Sequence, residues 1–315
     1  MIMDKISSNL EIRHIRDATR ESAIYIDQRR KGIISSLSTP WKKYNQVAMG
    51  GIEWGTIHTI AGMSGSGKTA IINQLETHLV TANDDVTVLS FNFEMLAKNL
   101  VSRKFANALE LSTQELHSGL PDYNLADQDY SRVLNAGKTI ANLPIYYVEE
   151  AGTVPQIEKA IIDFLKEHRN VVVMLDHTLL VHGSKEERMI LVDLYTMFNR
   201  LKKSTHAVGL KVAFIILSQL NGDIERAERQ AEPSQQFPKK KDLFGSSAAF
   251  MFSDVVLVSM NPEQMGFDSY GPKHWPVEGK LYWHFLKVRE GEPCIAAMKN
   301  MLKYSRVEDF INPNE

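Results

Sequence analysis

The segment that most constrains this chain is Gly62-Met63-Ser64-Gly65-Ser66-Gly67-Lys68-Thr69. It follows a short apolar run, Thr56–Ala61, and precedes a helical pattern over 67–81. A glycine-rich turn between a strand and a helix lets main-chain amides converge on phosphate oxygens, with the positive end of the helix behind them. Lys68 is placed to reach the β- and γ-phosphates, and the Thr69 hydroxyl to ligate Mg²⁺. The octapeptide is therefore a predicted ATP loop, and ATP and Mg²⁺ are the predicted cofactors. A loop of this kind has to sit at the carboxyl edge of a sheet, which commits the chain to an α/β fold.

The rest of the chain keeps to that commitment. Strands are predicted at Val86–Phe91, Ile145–Val148, Val171–Leu175, Val212–Leu217 and Val255–Met260. Helices are predicted over 95–110, from Val154 with Thr153 as N-cap, and over 186–204. Ser112 and Glu115 have the spacing of a capping box. VVVML at 171–175 and VAFIIL at 212–217 show no polar alternation, the mark of strands buried on both faces of a parallel sheet. Leu281–Lys287 and Pro293–Met298 read as an antiparallel hairpin. Residues 221–247 and 261–279 are rich in Gly, Pro, Ser and charge and are predicted to be long loops, functional or disordered.

Three segments are expected along the chain. Residues 1–32 read as an amino-terminal linker helix, 33–55 as a linker leading to the domain, and 56–315 as one ATPase domain. In the first, Ile12, Ile15, Thr19, Ala23 and Ile26 form a narrow apolar stripe over 11–31, with Gly32 as its stop. Such a stripe suits docking in one groove, either of its own domain or of a neighbouring subunit.

Composition narrows the function. With 36 Lys and Arg against 38 Asp and Glu, the formal charge is −2. That excludes a globally basic nucleic-acid binder but leaves room for a local basic groove. Hydrophobic residues at 43% exclude a wholly disordered chain. Cys294 is the sole cysteine, which excludes an intrachain disulfide and a cysteine-based metal cluster and suits a reducing compartment. The apolar runs fall short of the ~20 residues of a membrane span. MIMDKISSNL has no hydrophobic signal core, so a cytoplasmic chain is expected.

Further site candidates follow from the ends of the predicted strands. Asp176 closes VVVML, where a carboxylate would emerge beside the phosphate loop and hold Mg²⁺. Glu94 follows VTVLSF; it reads as a base for the attacking water if its strand lies next to the loop's own strand, and otherwise as a helix-start acid. Gln219 closes VAFIIL, as a γ-phosphate sensor or a capping amide. Lys287 and Arg289 fall on one side of a strand near a hairpin tip. With no close partner in sequence, they read as a phosphate finger pair or as a solvated basic edge.

Taken together, these segments resemble the RecA-like motor domain of DnaB-type replicative helicases. GGIEWGTIHTIAGMSGSGKTA, FNFEM, VVVMLDHTLL, ILSQLN, KDLFGSSAAFMFSDVVLV and KVREGEP are similar, in order, to that family's segments over about residues 11–300. The resemblance implies a mostly parallel sheet with helices on both faces and a carboxyl-terminal antiparallel hairpin. It implies Glu94 as catalytic base, Asp176 as the Mg²⁺ acid, Gln219 as sensor, and Lys287 with Arg289 as the finger pair acting on a neighbour's ATP. It further implies a homo-hexameric ring on single-stranded DNA, partnered by a primase or helicase loader.

Two departures stand out. Little sequence precedes the linker, so the family's primase-interacting domain is not expected, and such a compact core suggests a phage or mobile-element protein. Phe244-Gly245 replaces the family's Arg-Glu in the DNA-backbone segment. Lys239, Lys240 and Lys241, with Ser246 and Ser247, are the substitute DNA contacts expected here. The leading expectation is an ATP-driven DNA helicase. A RecA- or RadA-like filament ATPase and a non-unwinding ATPase scaffold or loader are the alternatives.

Overall fold

The computed structural model describes residues 12–120, 124–183 and 185–310; the side chains of Leu179, Ser246 and Ser247 lie outside that description. So do residues 1–11 of the expected linker helix segment and residues 311–315 of the expected ATPase domain.

In chain order the elements are α1 (Ile15–Arg30), α2 (Lys42–Val47), β1 (Ile57–Gly62), α3 (Lys68–Ala82), β2 (Thr87–Asn92), α4 (Ala97–Leu109), α5 (Thr113–His117) and α6 (Asp127–Ile140). Next come β3 (Ile145–Val148), α7 (Val154–Phe164), β4 (Asn170–Asp176), α8 (Glu187–Ala207), β5 (Lys211–Gln219) and α9 (Ala227–Ala231). The chain continues with α10 (Ser246–Phe252), β6 (Val255–Met260), β7 (Lys280–Val288), β8 (Cys294–Met301) and β9 (Arg306–Asp309). All strands join one sheet in the order β3-β2-β4-β5-β1-β6-β7-β8-β9. Pairing is parallel from β3 to β6 and antiparallel from β6 to β9.

The strands lack polar alternation because both faces are covered. In β4, Val172 and Met174 pack toward α3 with Ile71, Leu75 and Leu79, while Val171, Val173 and Leu175 pack toward α7 and α8 with Ile161, Leu194 and Phe198. Truncating one of these side chains to Ala is expected to cost about 2–5 kcal/mol. The helix starts are specified locally. Ser112 and Glu115 exchange a capping box, and Thr153 does so with Gln156, which begins α7 ahead of its apolar face.

Several expectations need correcting. Residues 33–55 do not form a free linker. Leu37, Trp41, Tyr44 and Ile52 are buried, and Trp41 Nε1 donates to the Val307 carbonyl at 2.8 Å. That anchor is β9, an unforeseen strand some 266 residues further on. α6 was also unforeseen; its residues are amphipathic but none is buried. The long loop after β5 is ordered by a bidentate ion pair. Arg229 donates to both carboxylate oxygens of the fully buried Asp242 at 2.6 Å and to the carbonyls of Gln235 and Phe237. Phe237 in turn stacks on Trp275, tying the loop to the one between β6 and β7.

Candidate active site

The phosphate loop lies between β1 and α3, as its sequence requires. Gly67 caps α3 with φ +87°, and a Cβ there would meet Leu302 at 2.8 Å, so only glycine fits. Gly65 also has positive φ, at +75°. Met63, Ser64 and Ser66 complete the turn, and Ser259 Oγ on β6 donates to the Ser66 carbonyl at 2.7 Å. Lys68 Nζ folds onto the loop, donating to the carbonyls of Gly62 and Met63 at 2.8 Å each. Burial pushes the lysine's pKa down, and Asp176 and Glu94 pull it back up. Thr69 follows Lys68 in the first turn of α3.

Strand order decides what else gathers here. β5 is the immediate neighbour of β1, and its register sets Gln219 beside Gly62. β4 comes next, with Asp176 at its carboxyl end. β2 lies beyond β4, so the expectation that Glu94's strand adjoins the loop's strand is overturned. Two crossovers place β4 and β5 between them. Glu94 still reaches the site, because the Phe93 amide just before it donates to the Asp176 carbonyl at the end of β4, at 2.9 Å. The link is His177, whose Nε2 is 3.4 Å from Glu94 Oε2 and 3.2 Å from Gln219 Nε2. With its proton on Nε2, the imidazole donates to Glu94; with the proton on Nδ1, Nε2 accepts from the Gln219 amide. Burial holds the His177 pKa below its ordinary value.

Asp176 is 3% exposed. Burial first, then the Glu94 charge, push its carboxyl up to about 7. Asn92 Oδ1 and Thr178 Oγ1 are also buried close to it in sequence or register, without hydrogen-bond partners among the described residues. A buried carboxylate facing another and flanked by orphaned oxygens is a donor set suited to a hard cation. Among the described residues no three His, Cys, Asp or Glu side chains cluster to hold a metal alone. That fits an ion held jointly with nucleotide phosphates.

Sequence reasoning missed His177, although it directly follows Asp176. It also missed Arg103 on α4, a partly buried guanidinium that senses Asp176 and Glu94 and whose pKa burial lowers. A cation one helix away in sequence carries no signal of its own.

Lys287 and Arg289 are not part of this cluster. β7 runs antiparallel to β6, with Val288 opposite Val255 and Tyr282 opposite Met260. The pair therefore sits at the amino edge of the sheet, and the six residues of β1 separate that edge from the phosphate loop, roughly 20 Å along the strand direction at ~3.3 Å per residue. Arg289 has no partner close in sequence, but in the fold it pairs with Asp254. Lys239, Lys240 and Lys241 are exposed after the ordered loop. Ser246 and Ser247 open α10, and their side chains lie outside the described residues.

A phosphate loop at the carboxyl edge, an acid on the second strand over and a polar side chain on the adjacent strand define a RecA-like P-loop ATPase. The profile of the DnaB-like helicase C-terminal domain matches residues 36–309. The chain belongs to that family of ATP-hydrolysing DNA helicases. Among solved structures it is similar to the ATPase domain of G40P, with a TM-score of 0.76 and 18% identity over 93% of this chain and 98% of that one. It is also similar to a DnaB-like replicative helicase described with its interactions with primase, with a TM-score of 0.75 and 18% identity over 97% of this chain and 68% of that one. At such identity these likenesses speak for the fold. No curated protein sequence matches the chain. No helix among the described residues is long and apolar enough to cross a membrane.

Proposed function

We propose that the chain works as a homo-hexameric ring that hydrolyses ATP between subunits while moving along single-stranded DNA. The observation that carries this reading is that the candidate residues fall on opposite edges of one sheet. Lys68, Thr69, Asp176, Glu94 and Gln219 serve the subunit's own nucleotide. Arg289 and Lys287, at the opposite edge, serve a neighbour's.

In this reading the amides of residues 62–69 cradle the phosphates and Lys68 leaves its two carbonyls for the β- and γ-oxygens. Thr69 and Asp176 would hold Mg²⁺, which supplies charge neutralisation on the phosphates. Glu94 orients and deprotonates the attacking water, and His177 holds it in register with Gln219. Arg289 stabilises the charge that develops on the γ-phosphate, a contribution worth ~10³ or more in rate. Lys239, Lys240 and Lys241 meet the DNA backbone through charge, which requires no fixed side-chain geometry.

The amino-terminal helix supports the ring. No residue of α1 is buried, and Ile12, Ile15 and Ile26 are 97%, 75% and 61% exposed. An apolar stripe without cover in its own subunit fits the groove of the next. A primase or loader as partner and a cytoplasmic location belong to the same reading.

Unwinding of a forked duplex with a 5′ single-stranded tail tests it, with Lys68→Ala as the inactive control. Assembly is followed by light scattering and electron microscopy with an ATP analogue and poly-dT. Closed rings that unwind the fork are expected. Helical filaments would support the strand-exchange alternative, and rings that hydrolyse ATP without unwinding would support a scaffold or loader.

A further inference from the structure

Lys287 has an unusual seat for a phosphate-binding lysine. Its Nζ donates to the Phe250 carbonyl at 2.7 Å and the Met251 carbonyl at 3.3 Å. These carbonyls belong to the last turn of α10, where helical donors run out. The ammonium also lies 5.4 Å from the centre of the Phe250 ring. A second cation uses the same ring: Lys240 Nζ is 4.8 Å from its centre.

The surroundings are strongly positive. Arg289 and Lys202 both pair with Asp254, at 2.9 Å and 3.1 Å. Four cations thus gather around one carboxylate and one aromatic ring. Burial, and then the Arg289 charge, hold the Lys287 pKa below its ordinary value. At its other end α10 follows Phe244, whose amide donates to the Gln219 carbonyl at 3.0 Å. One short helix therefore connects the strand of the subunit's own sensor to the pair that serves its neighbour.

We propose that Phe250 is a positioning residue for Lys287, and that its ring, shared with Lys240, transmits DNA contact at the loop to the finger pair. This rests on the reading of Lys287 and Arg289 as that pair and of Lys240 as a DNA contact. Two ammonium groups on one ring repel each other. When a DNA phosphate neutralises Lys240 or draws it away, Lys287 keeps the ring and the carbonyls to itself. The end of β7 is then held more firmly for the neighbour's phosphate, and DNA accelerates hydrolysis.

Steady-state ATPase of the full chain, with and without poly-dT, tests the proposal. Phe250→Leu keeps an apolar side chain at a half-buried position and removes the π face. It is expected to lower kcat in the presence of poly-dT by roughly two- to thirty-fold, the range of one cation–π contact, with KM for ATP unchanged. Phe250→Tyr is expected to restore it. Lys240→Met removes the competing charge and is expected to raise kcat without DNA. That rise should vanish in the Phe250→Leu background. Wild-type stimulation of Phe250→Leu, or an equal rise from Lys240→Met in both backgrounds, overturns the proposal. Arg289→Ala separates the two levels. If it is inactive while Phe250→Leu behaves as wild type, only the seat fails; if it retains full turnover, the finger reading fails and the seat with it.

Discussion

Arg289 Nη1 and Asp254 Oδ1 form an ion pair at 2.9 Å on the edge of the sheet opposite the phosphate loop. Asp254 Oδ2 is also fixed, accepting from the Ile57 amide at 2.8 Å and from Lys202. Arg289 is 48% exposed, so the pair is worth only about 0.2–1 kcal/mol to the isolated subunit. A finger's ~10³ in rate corresponds to about 4 kcal/mol. In the proposed ring a neighbour's γ-phosphate would therefore outcompete Asp254, and the pair would serve as a resting position.

Arg289→Ala should reduce ATP turnover by ~10³. Lys68→Ala should be equally inactive, through loss of the phosphate cradle. In the proposed assembly, mixed rings would contain interfaces where a sound loop faces a sound finger, so turnover should return once fluorescence shows that subunits exchange. Continued silence with proven exchange, together with a merely proportional loss on doping wild type with Lys68→Ala, would remove Arg289 from the neighbour's site.

Glu94→Gln should bind ATP normally and hydrolyse it ~10²–10⁴-fold more slowly, because the amide keeps the shape and loses the basic oxygen. Single-turnover assays alongside nucleotide titration distinguish this from a structural role. In the latter case affinity would collapse while turnover per bound ATP stayed normal.

Asp176 links the site to pH. Its folded pKa of about 7 lies above the ordinary carboxylate value. In the window between the two, the folded state binds more protons than the unfolded state, so stability falls as pH rises. Nucleotide-free Asp176→Asn should therefore melt higher than wild type at pH 8, and the gap should shrink toward pH 4.5. The same variant should lose Mg²⁺-dependent turnover. A melting difference that does not change with pH would show that the carboxylate is not held toward neutrality.

Behind the phosphate loop, Lys104 and Glu76 form a buried ion pair at 2.8 Å, 3% and 1% exposed. Ser90 and Tyr147 also donate to Glu76. Lys104→Met leaves a charge buried without its counterion and should cost about 3–5 kcal/mol in urea unfolding. Adding Glu76→Leu should recover part of that loss. Two costs that simply add would mean the residues act independently.

Much of this was readable along the chain. The phosphate loop, the uniformly apolar strands, the Ser112 capping box and the Thr153 N-cap are patterns of adjacent residues, and their physics is local. Asp176 and Gln219 were readable for the same reason, each closing an apolar strand. α2 was not, because six residues between a Pro and a Gly-Gly form a helix only when Trp41 and Tyr44 find the β9 side of the core. β9 itself is four residues with little pattern, held by pairing with β8.

The sequence by itself determined which residues can do chemistry and that they hang on a parallel α/β sheet, since phosphate loops and two-sided strands follow from nearest-neighbour spacing. It did not determine who meets whom. Only the strand order put β5 and β4 between β1 and β2, which brought His177 between Glu94 and Gln219. Only the antiparallel return of β7 carried Arg289 to the far edge, onto Asp254, with Lys287 onto Phe250. Those are contacts between residues tens to hundreds of positions apart. They are decided by how whole elements bury their faces, a free energy that no local stretch of chain contains.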